Sequence, residues 1–343
     1  MNKNSNDPQP NESSLRLLKA LGVLDSSNQI TPEAYIGYVM RLPVNEQAQA
    51  LGIPLIVLPP PRGEDGPEKV VTKFFSRERG LHVDGGYEES YLLRSFITSV
   101  VSGFNTRKKK HSITQEQIAE LSQEISGLTE GQVIRRLEEN NVVFQPHFGW
   151  AYSILMPEST EQAPYSMASL RSRFYKANCY RLPAAATNDL EGNKVRCEEY
   201  LRSKERAEQY ARNMIAYLWL WRSLSPAEWA SLVAVVLENW DKMASGWPDI
   251  NVVSPEAGLI LIEVKGKDKL HTSQVYTLLK LREVLGPHRV AIAWANRIAK
   301  DLPFDNSEHQ ESIWEWLRTP PEKRSNMLKH PEHFYCASKA LLI

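Results

Sequence analysis

The sequence lacks an excess of charge of either sign, since its 343 residues include 41 basic and 41 acidic side chains. Overall charge therefore gives no support for nucleic-acid binding, and any such affinity must come from local patches. The three cysteines, Cys179, Cys197 and Cys336, are widely spaced and lack the spacing of metal ligands. They are typical of thiols in a reducing compartment, so we expect a cytoplasmic protein.

Long apolar runs are absent as well. No stretch approaches the roughly 18 uncharged apolar residues of a membrane-spanning helix, and we therefore expect no membrane association. Residues 1–14 are polar and lack the apolar core of a secretion signal. We expect them to form a disordered leader.

Two short aliphatic runs, residues 250–253 and 259–262, predict neighbouring strands. Residues 255–258, with the sequence PEAG, predict the turn between them. Asp249 lies at the start of the first strand, and Glu263 directly follows the second run. A hairpin would therefore bring these two acids close together.

Lys265 follows Glu263 with one apolar residue between them. Successive side chains of a strand alternate faces, so Glu263 and Lys265 share one face and Val264 points to the other. Two carboxylates beside a lysine suit phosphodiester hydrolysis with Mg²⁺, which prefers oxygen ligands. The alternative is an ordinary strand on which Glu263 forms a surface salt bridge, because Glu-x-Lys alone is common.

Three segments of this stretch, GWPD at 246–249, EVKG at 263–266 and DKL at 268–270, resemble the VRR-NUC branch of the PD-(D/E)xK nuclease superfamily. Gln274 extends the resemblance, which covers about residues 205–297. It implies a restriction-endonuclease-like core and dependence on Mg²⁺ or Mn²⁺. It further implies metal ligands at Asp249, Glu263 and the Val264 backbone carbonyl, and catalytic roles for Asp249, Glu263, Lys265 and Gln274.

The family usually supplies another acid from an upstream helix. Glu208 is our candidate for this metal ligand, because it lies on the apolar face of a predicted helix over residues 208–219. Glu205, one turn earlier, is the alternative acid. Glu208 is equally compatible with a first-turn position, where an acid favours the helix dipole.

The elements around the motif predict an α/β fold, with a restriction-endonuclease-like mixed sheet flanked by helices in the C-terminal part. A helix over residues 225–243 should begin with Ser225 as its N-cap and Glu228 completing a capping box. Another helix is predicted over 272–284 and a strand over 290–294. We expect the N-terminal part to be mainly helical.

Residues 112–145 predict two short helices and a strand, which resembles a winged-helix unit. Capping boxes are expected at Thr114 with Gln117 and at Thr129 with Gln132. The expected DNA contacts are basic side chains before the first helix and on the second: Lys108, Lys109, Lys110, Arg135 and Arg136. A small helical domain with a solvated basic run is the alternative.

Residues 169–181 interleave basic and aromatic side chains, a mixture suited to phosphate neutralisation and to stacking on unpaired bases. The candidate DNA-binding residues here are Arg171, Arg173 and Lys176, beside Phe174 and Tyr175. A buried aromatic strand edged with arginine is the alternative.

The sequence thus predicts a leader over 1–14, a region of unassigned role over 15–104, a winged-helix-like, DNA-contacting region over 105–195, a nuclease domain over 196–300 and a helical tail over 301–343. The expected function is metal-dependent DNA hydrolysis in repair, phage replication or defence, with selectivity for DNA structure and branched or single-stranded DNA as partners. A sequence-specific restriction-type endonuclease and a non-catalytic DNA-binding or assembly subunit are the alternatives. Protein partners and a homo-oligomer both stay open.

Overall fold

The structure is a computed structural model that describes residues 19–20, 23–27, 29–58, 66–75, 82–85, 89–101, 113–140, 169–170, 204–295, 319 and 323. The predicted leader over 1–14 and nearly all of the predicted tail over 301–343 lie outside these residues.

A five-stranded mixed sheet lies at the centre of the described chain. Its strands are β1 (Leu55–Leu58), β2 (His82–Gly85), β3 (Ile250–Ser254), β4 (Gly258–Lys265) and β5 (Val290–Ala295). Their spatial order is β1-β5-β4-β3-β2. The neighbours β2, β3 and β4 pair antiparallel, whereas β4, β5 and β1 pair parallel.

Helices flank this sheet, which confirms the predicted α/β class. They are α1 (Pro32–Val39), α2 (Val44–Leu51), α3 (Pro67–Phe75), α4 (Tyr91–Val100), α5 (Gln115–Ser126), α6 (Glu130–Glu139), α7 (Lys204–Arg222), α8 (Pro226–Met243) and α9 (Thr272–Leu285). The hairpin β3–β4, the helices α7 to α9 and the strand β5 agree with the sequence prediction.

Capping boxes fix the starts of three helices. At α8 the Glu228 N–H donates to the Ser225 hydroxyl oxygen, while the Ser225 N–H donates to the Glu228 carboxylate. The same reciprocal pair begins α5 and α6, with Thr114 and Gln117 in one and Thr129 and Gln132 in the other. Each box pairs backbone N–H groups that the helix itself leaves unpaired. The starts of these helices can therefore be predicted from the sequence.

The two faces of the sheet pack against different helices. Alternate residues of β4, namely Ile260, Ile262 and Val264, join a cluster with Val71, Phe74 and Phe75 of α3. Leu259 and Leu261 join the larger cluster, which contains the buried residues of α7, α8 and α9. By alternation Glu263 and Lys265 lie on the same face as Leu261, opposite to Val264.

Both edge strands come from the N-terminal region over 15–104. Leu55 of β1 pairs with Ile292 of β5, and His82 of β2 pairs with Val253 of β3. The region is mainly helical among the described residues, as the sequence predicts. Its two short strands also complete the sheet that the predicted 196–300 domain begins.

The predicted helix pair of the winged-helix-like region is present as α5 and α6. Its apolar side chains do not form a separate small core. They join the same cluster as helices α7 to α9, with α5 packed on α8 and with Ile118, Ile125, Val133, Ile134 and Leu137 buried. The predicted strand over 142–144 lies outside the described residues.

Within the described part of the chain, the helices are all too short or too polar to cross a membrane.

Candidate active site

The hairpin β3–β4 brings the predicted acids together. Its register pairs Ile250 with Ile262, so Asp249 lies one step beyond the ladder, opposite Glu263. The Val264 N–H donates to Asp249 Oδ2 across 2.7 Å. Lys265 Nζ lies 2.7 Å from Glu263 Oε1. The predicted set of two carboxylates and a lysine is therefore a spatial cluster.

Burial sets the protonation of this cluster. Glu263 is fully buried and only 9% of the Lys265 side chain is exposed. Burial, followed by the nearby Asp249 carboxylate, raises the pKa of Glu263 to about 8, against the opposing effect of Lys265. Burial also raises the pKa of Asp249 to about 6, although the Val264 hydrogen bond opposes the shift. Two acids held so close need a positive charge before both ionise.

The donor atoms fit a hard divalent cation. Among the described residues, neither Oε1 nor Oε2 of Glu263 accepts a hydrogen bond of regular geometry, so the ion pair with Lys265 is its main polar contact. Asp249 uses one carboxylate oxygen for Val264. The N–H and C=O of one strand residue lie on the same side, so the Val264 carbonyl also faces the edge at Asp249. Such oxygen donors suit Mg²⁺ or Mn²⁺.

Glu208 does not join this cluster as a third metal-binding acid. It lies half-buried on α7, and no group of three or more His, Cys, Asp or Glu side chains is placed to hold a metal within the described ranges. The predicted helix over residues 208–219 is present, but residues 213–220 are all buried, so α7 has no single apolar face. The side chain of Glu205 is outside the described residues.

Two other acids influence the site electrostatically. The carboxylates of Glu68 and Glu89 both contribute to the raised pKa of Asp249, and Glu89 also contributes to that of Glu263. Glu68 is an exposed residue in the first turn of α3, and Glu89 is a half-buried residue in the turn before α4. Sequence reasoning missed both residues. Glu89 could have been proposed from the sequence, since it is an upstream acid two residues before the start of an apolar helix.

Chain packing explains why these acids lie near the motif. The Ser90 hydroxyl donates to the Pro248 carbonyl at 2.8 Å, which joins the start of α4 to the residue before Asp249. Pro67 of α3 packs so closely on Gly266 that a Cβ at Gly266 would lie 2.8 Å from the Pro67 ring. The glycine of the EVKG segment therefore admits the N-terminus of α3.

Gln274 closes the start of α9. It is buried, and its side-chain carbonyl accepts the His271 N–H at 3.0 Å. A Cβ at Gly246 would lie 2.3 Å from the Ser273 carbonyl oxygen, so this glycine allows α9 to approach the GWPD segment. Gln274 thus has a visible structural role beside the site, and its predicted catalytic role stays a prediction.

The predicted DNA-binding residues are mostly outside the described chain. Lys108, Lys109, Lys110, Arg171, Arg173 and Lys176 lie there, together with the aromatic residues between them. Arg135 is exposed on α6. Arg136 is used within the fold, because its guanidinium donates to the Val100 carbonyl and pairs with Glu124. Of the two arginines on α6, Arg135 is exposed to solvent and Arg136 is half-buried.

No family model matches the chain, and no curated protein matches it. Among solved structures it matches the crystal structure of paFAN1 bound to DNA with a one-nucleotide 5′ flap and a gap. The match has 16% sequence identity and a TM-score of 0.34, and it covers 82% of this chain and 48% of the other. The chain thus spans about half the length of that protein. A similarity at this level carries no argument about activity.

Proposed function

We propose that this protein is a Mg²⁺- or Mn²⁺-dependent nuclease that hydrolyses phosphodiester bonds in DNA. The observation that carries the proposal is the buried carboxylate of Glu263, held beside Asp249 and Lys265 without a regular hydrogen bond among the described residues. A buried acid whose main polar contact is a single lysine is costly to keep in a fold. Such a group is a candidate functional residue rather than a stabilising one.

The contacts within the site suggest a chemical role for each of its residues. Asp249 and Glu263 would hold the cation, with the Val264 carbonyl as a further oxygen donor. When bound, the cation would supply Lewis-acid polarisation of the scissile phosphate and a lower pKa for the attacking water. Lys265 is kept at the site by Glu263, and its ammonium stabilises the negative charge that develops on the phosphate oxygens. Water adds to phosphorus as the bond to the leaving oxygen breaks; the water loses a proton to solvent, and the leaving oxygen takes one from solvent.

Glu89 replaces Glu208 as the upstream acid in this proposal. Its charge raises the pKa of both Asp249 and Glu263, whereas Glu208 is not among the charges that shift either pKa. Neither acid completes a group of three metal-binding side chains among the described residues. Glu89 lies directly before α4, and this turn is tied to the Pro248 carbonyl by Ser90. We therefore assign it to the acidic lining of the metal site.

Selectivity for branched or single-stranded DNA is the finer part of the proposal. Purified full-length protein should be incubated with labelled flaps, forks, junctions, single strands and plain duplex, in Mg²⁺, Mn²⁺, Ca²⁺ or EDTA. We expect cleavage in Mg²⁺ or Mn²⁺, binding with little turnover in Ca²⁺, and no cleavage in EDTA. Equal cleavage of every substrate would refute structure selectivity, and fixed-sequence double-strand breaks would favour a restriction-type enzyme. Cleavage that persists in EDTA would overturn metal dependence.

A further inference from the structure

The turn at Glu89 and Ser90, directly before α4, makes a buried contact with the segment that carries Asp249. Ser90 is fully buried, and its hydroxyl donates to the Pro248 carbonyl at 2.8 Å. The two residues are separated by 158 positions in the chain. Each is a direct neighbour of a site acid, since Glu89 precedes Ser90 and Asp249 follows Pro248.

The backbone at Ser90 is in an unfavourable conformation. Its φ of 48° and ψ of 39° are left-handed, and it is the sole non-glycine residue with positive φ in the described part of the chain. Glycine, asparagine or aspartate is the usual occupant of this region. Strain of this kind persists where the surroundings over-determine it, and it concentrates at functional sites. Glycine would relieve the strain but would remove the hydroxyl.

Glu89 is held on both sides of the turn. Arg94 Nη1 donates to the Glu89 backbone carbonyl at 3.2 Å, and the Arg94 N–H donates to the Ser90 carbonyl at 2.9 Å. The first bond ties Glu89 to its own helix, and the Ser90 hydroxyl ties the same turn to β3. The backbone that carries the Glu89 carboxylate is therefore fixed relative to Asp249.

We propose that Ser90 is a positioning residue for the metal site: its hydroxyl joins the turn that carries Glu89 to the carbonyl before Asp249, and so sets the spacing of these two carboxylates. This inference rests on the proposed metal-dependent nuclease function. Ser90 touches neither cation nor substrate in this scheme and acts through Glu89.

The test is the Mn²⁺ concentration that gives half-maximal DNA cleavage by the full-length protein. Residues that orient metal ligands typically change metal affinity by about 10-fold or more when replaced. We expect Ser90→Gly and Ser90→Ala to raise the half-maximal Mn²⁺ concentration by about 10-fold. Saturating Mn²⁺ should recover most of the rate, and DNA affinity in Ca²⁺ should not change.

Ser95→Ala is the matched control, since Ser95 is another buried hydroxyl on α4, bonded to Tyr91 and Tyr217. This change should lower the melting temperature without altering the Mn²⁺ requirement. Ser90→Gly accepts the positive φ, so it carries the test if Ser90→Ala does not fold.

A double-mutant cycle separates action through Glu89 from a direct effect on Asp249. Glu89→Gln alone should raise the Mn²⁺ requirement, and adding Ser90→Gly should raise it little further. The inference is overturned if the effects of Glu89→Gln and Ser90→Gly on the Mn²⁺ requirement add in full in the double variant. It is also overturned if neither Ser90 variant changes the Mn²⁺ requirement. If wild type does not cleave DNA, or Asp249→Ala cleaves it normally, the proposed metal-dependent site fails. If Asp249→Ala is inactive while the Ser90 variants match wild type, only the Ser90 inference fails.

Discussion

At the residue scale, the site is defined by one lysine and two acids whose charges do not balance in the metal-free protein. Lys265 is the one cation that contacts Glu263 among the described residues, and both are nearly inaccessible to water. Burial raises the pKa of Glu263 to about 8, so this site favours the protonated form of the acid far more than water does. Both acids can therefore ionise together only when a further cation is bound beside them.

The first prediction is a pH dependence of stability in EDTA. The pKa values of Asp249 and Glu263 rise from 3.8 and 4.5 to about 6 and about 8, so between these limits the folded state binds protons that the unfolded chain has released. Their stabilising contribution is complete below about pH 4 and is lost as pH rises through about 6 and about 8. We expect the free energy of unfolding to fall by several kcal/mol from pH 5 to pH 8.5.

Denaturant melts of wild type and Glu263→Gln across this range provide the measurement. In Glu263→Gln, the free energy of unfolding should depend less on pH, because the Glu263 contribution is gone. Mg²⁺ should stabilise wild type more at pH 8.5 than at pH 5. A wild-type stability in EDTA that rises with pH relative to the variant would contradict the assigned pKa directions.

The second prediction separates the chemical role of Lys265 from binding. Lys265→Ala should lower kcat by about 10² or more, because a positioned charge at the phosphate is lost. DNA affinity in Ca²⁺ should change little, since this is one contact among several. Lys267→Ala is the control, because Lys267 is exposed two residues further along. Normal cleavage by Lys265→Ala would make the lysine structural.

At the element scale, the hairpin and its neighbouring helices were predictable because their signals are local. Asp249, Glu263 and Lys265 lie within one hairpin, where alternation and a turn decide which side chains meet. The caps of α5, α6 and α8 are set by pairs three residues apart. Glu68 and Glu89 could not be placed in this way, because no local pattern specifies that α3 and α4 pack beside the motif.

The third prediction tests the approach of α9 to the GWPD segment. Gly246→Ala should place a methyl group 2.3 Å from the Ser273 carbonyl oxygen. The nearest atoms are backbone atoms, which cannot move aside as a flexible side chain could. We expect a loss of about 1–3 kcal/mol in the free energy of unfolding and reduced cleavage. The control is Gly37→Ala in α1, where nothing lies within 4 Å and a small gain is expected. Equal stabilities for both variants, measured by denaturant melts, would contradict the close packing.

At the scale of the whole molecule, the N-terminal region is part of the fold that carries the site. Strands β1 and β2 form the edges of the sheet, and the buried Gln47 of α2 accepts the Leu270 N–H from the loop after the motif. The sequence predicts separate regions over 15–104 and 196–300 because the motif and its family resemblance lie in the second region alone. Pairing between distant strands leaves no such local signature.

The fourth prediction is that residues 196–343 do not fold alone. This fragment lacks β1, β2, α3 and α4, and so exposes both edges of β3–β4–β5 and the apolar face that α3 covers. Circular dichroism and thermal melts should show no cooperative transition, whereas the full-length protein unfolds cooperatively. A fragment that melts cooperatively and cleaves DNA would restore the predicted domain boundary at 196.

The central claim is that Asp249 and Glu263 form a metal-dependent catalytic site, and Glu263→Gln tests it most directly. The replacement keeps the shape of the protonated acid that burial favours, so the metal-free variant should fold with at least wild-type stability. Without a carboxylate to hold the cation, its cleavage rate in saturating Mn²⁺ should fall by about 10² or more. A folded Glu263→Gln variant that cleaves DNA at the wild-type rate would contradict the account.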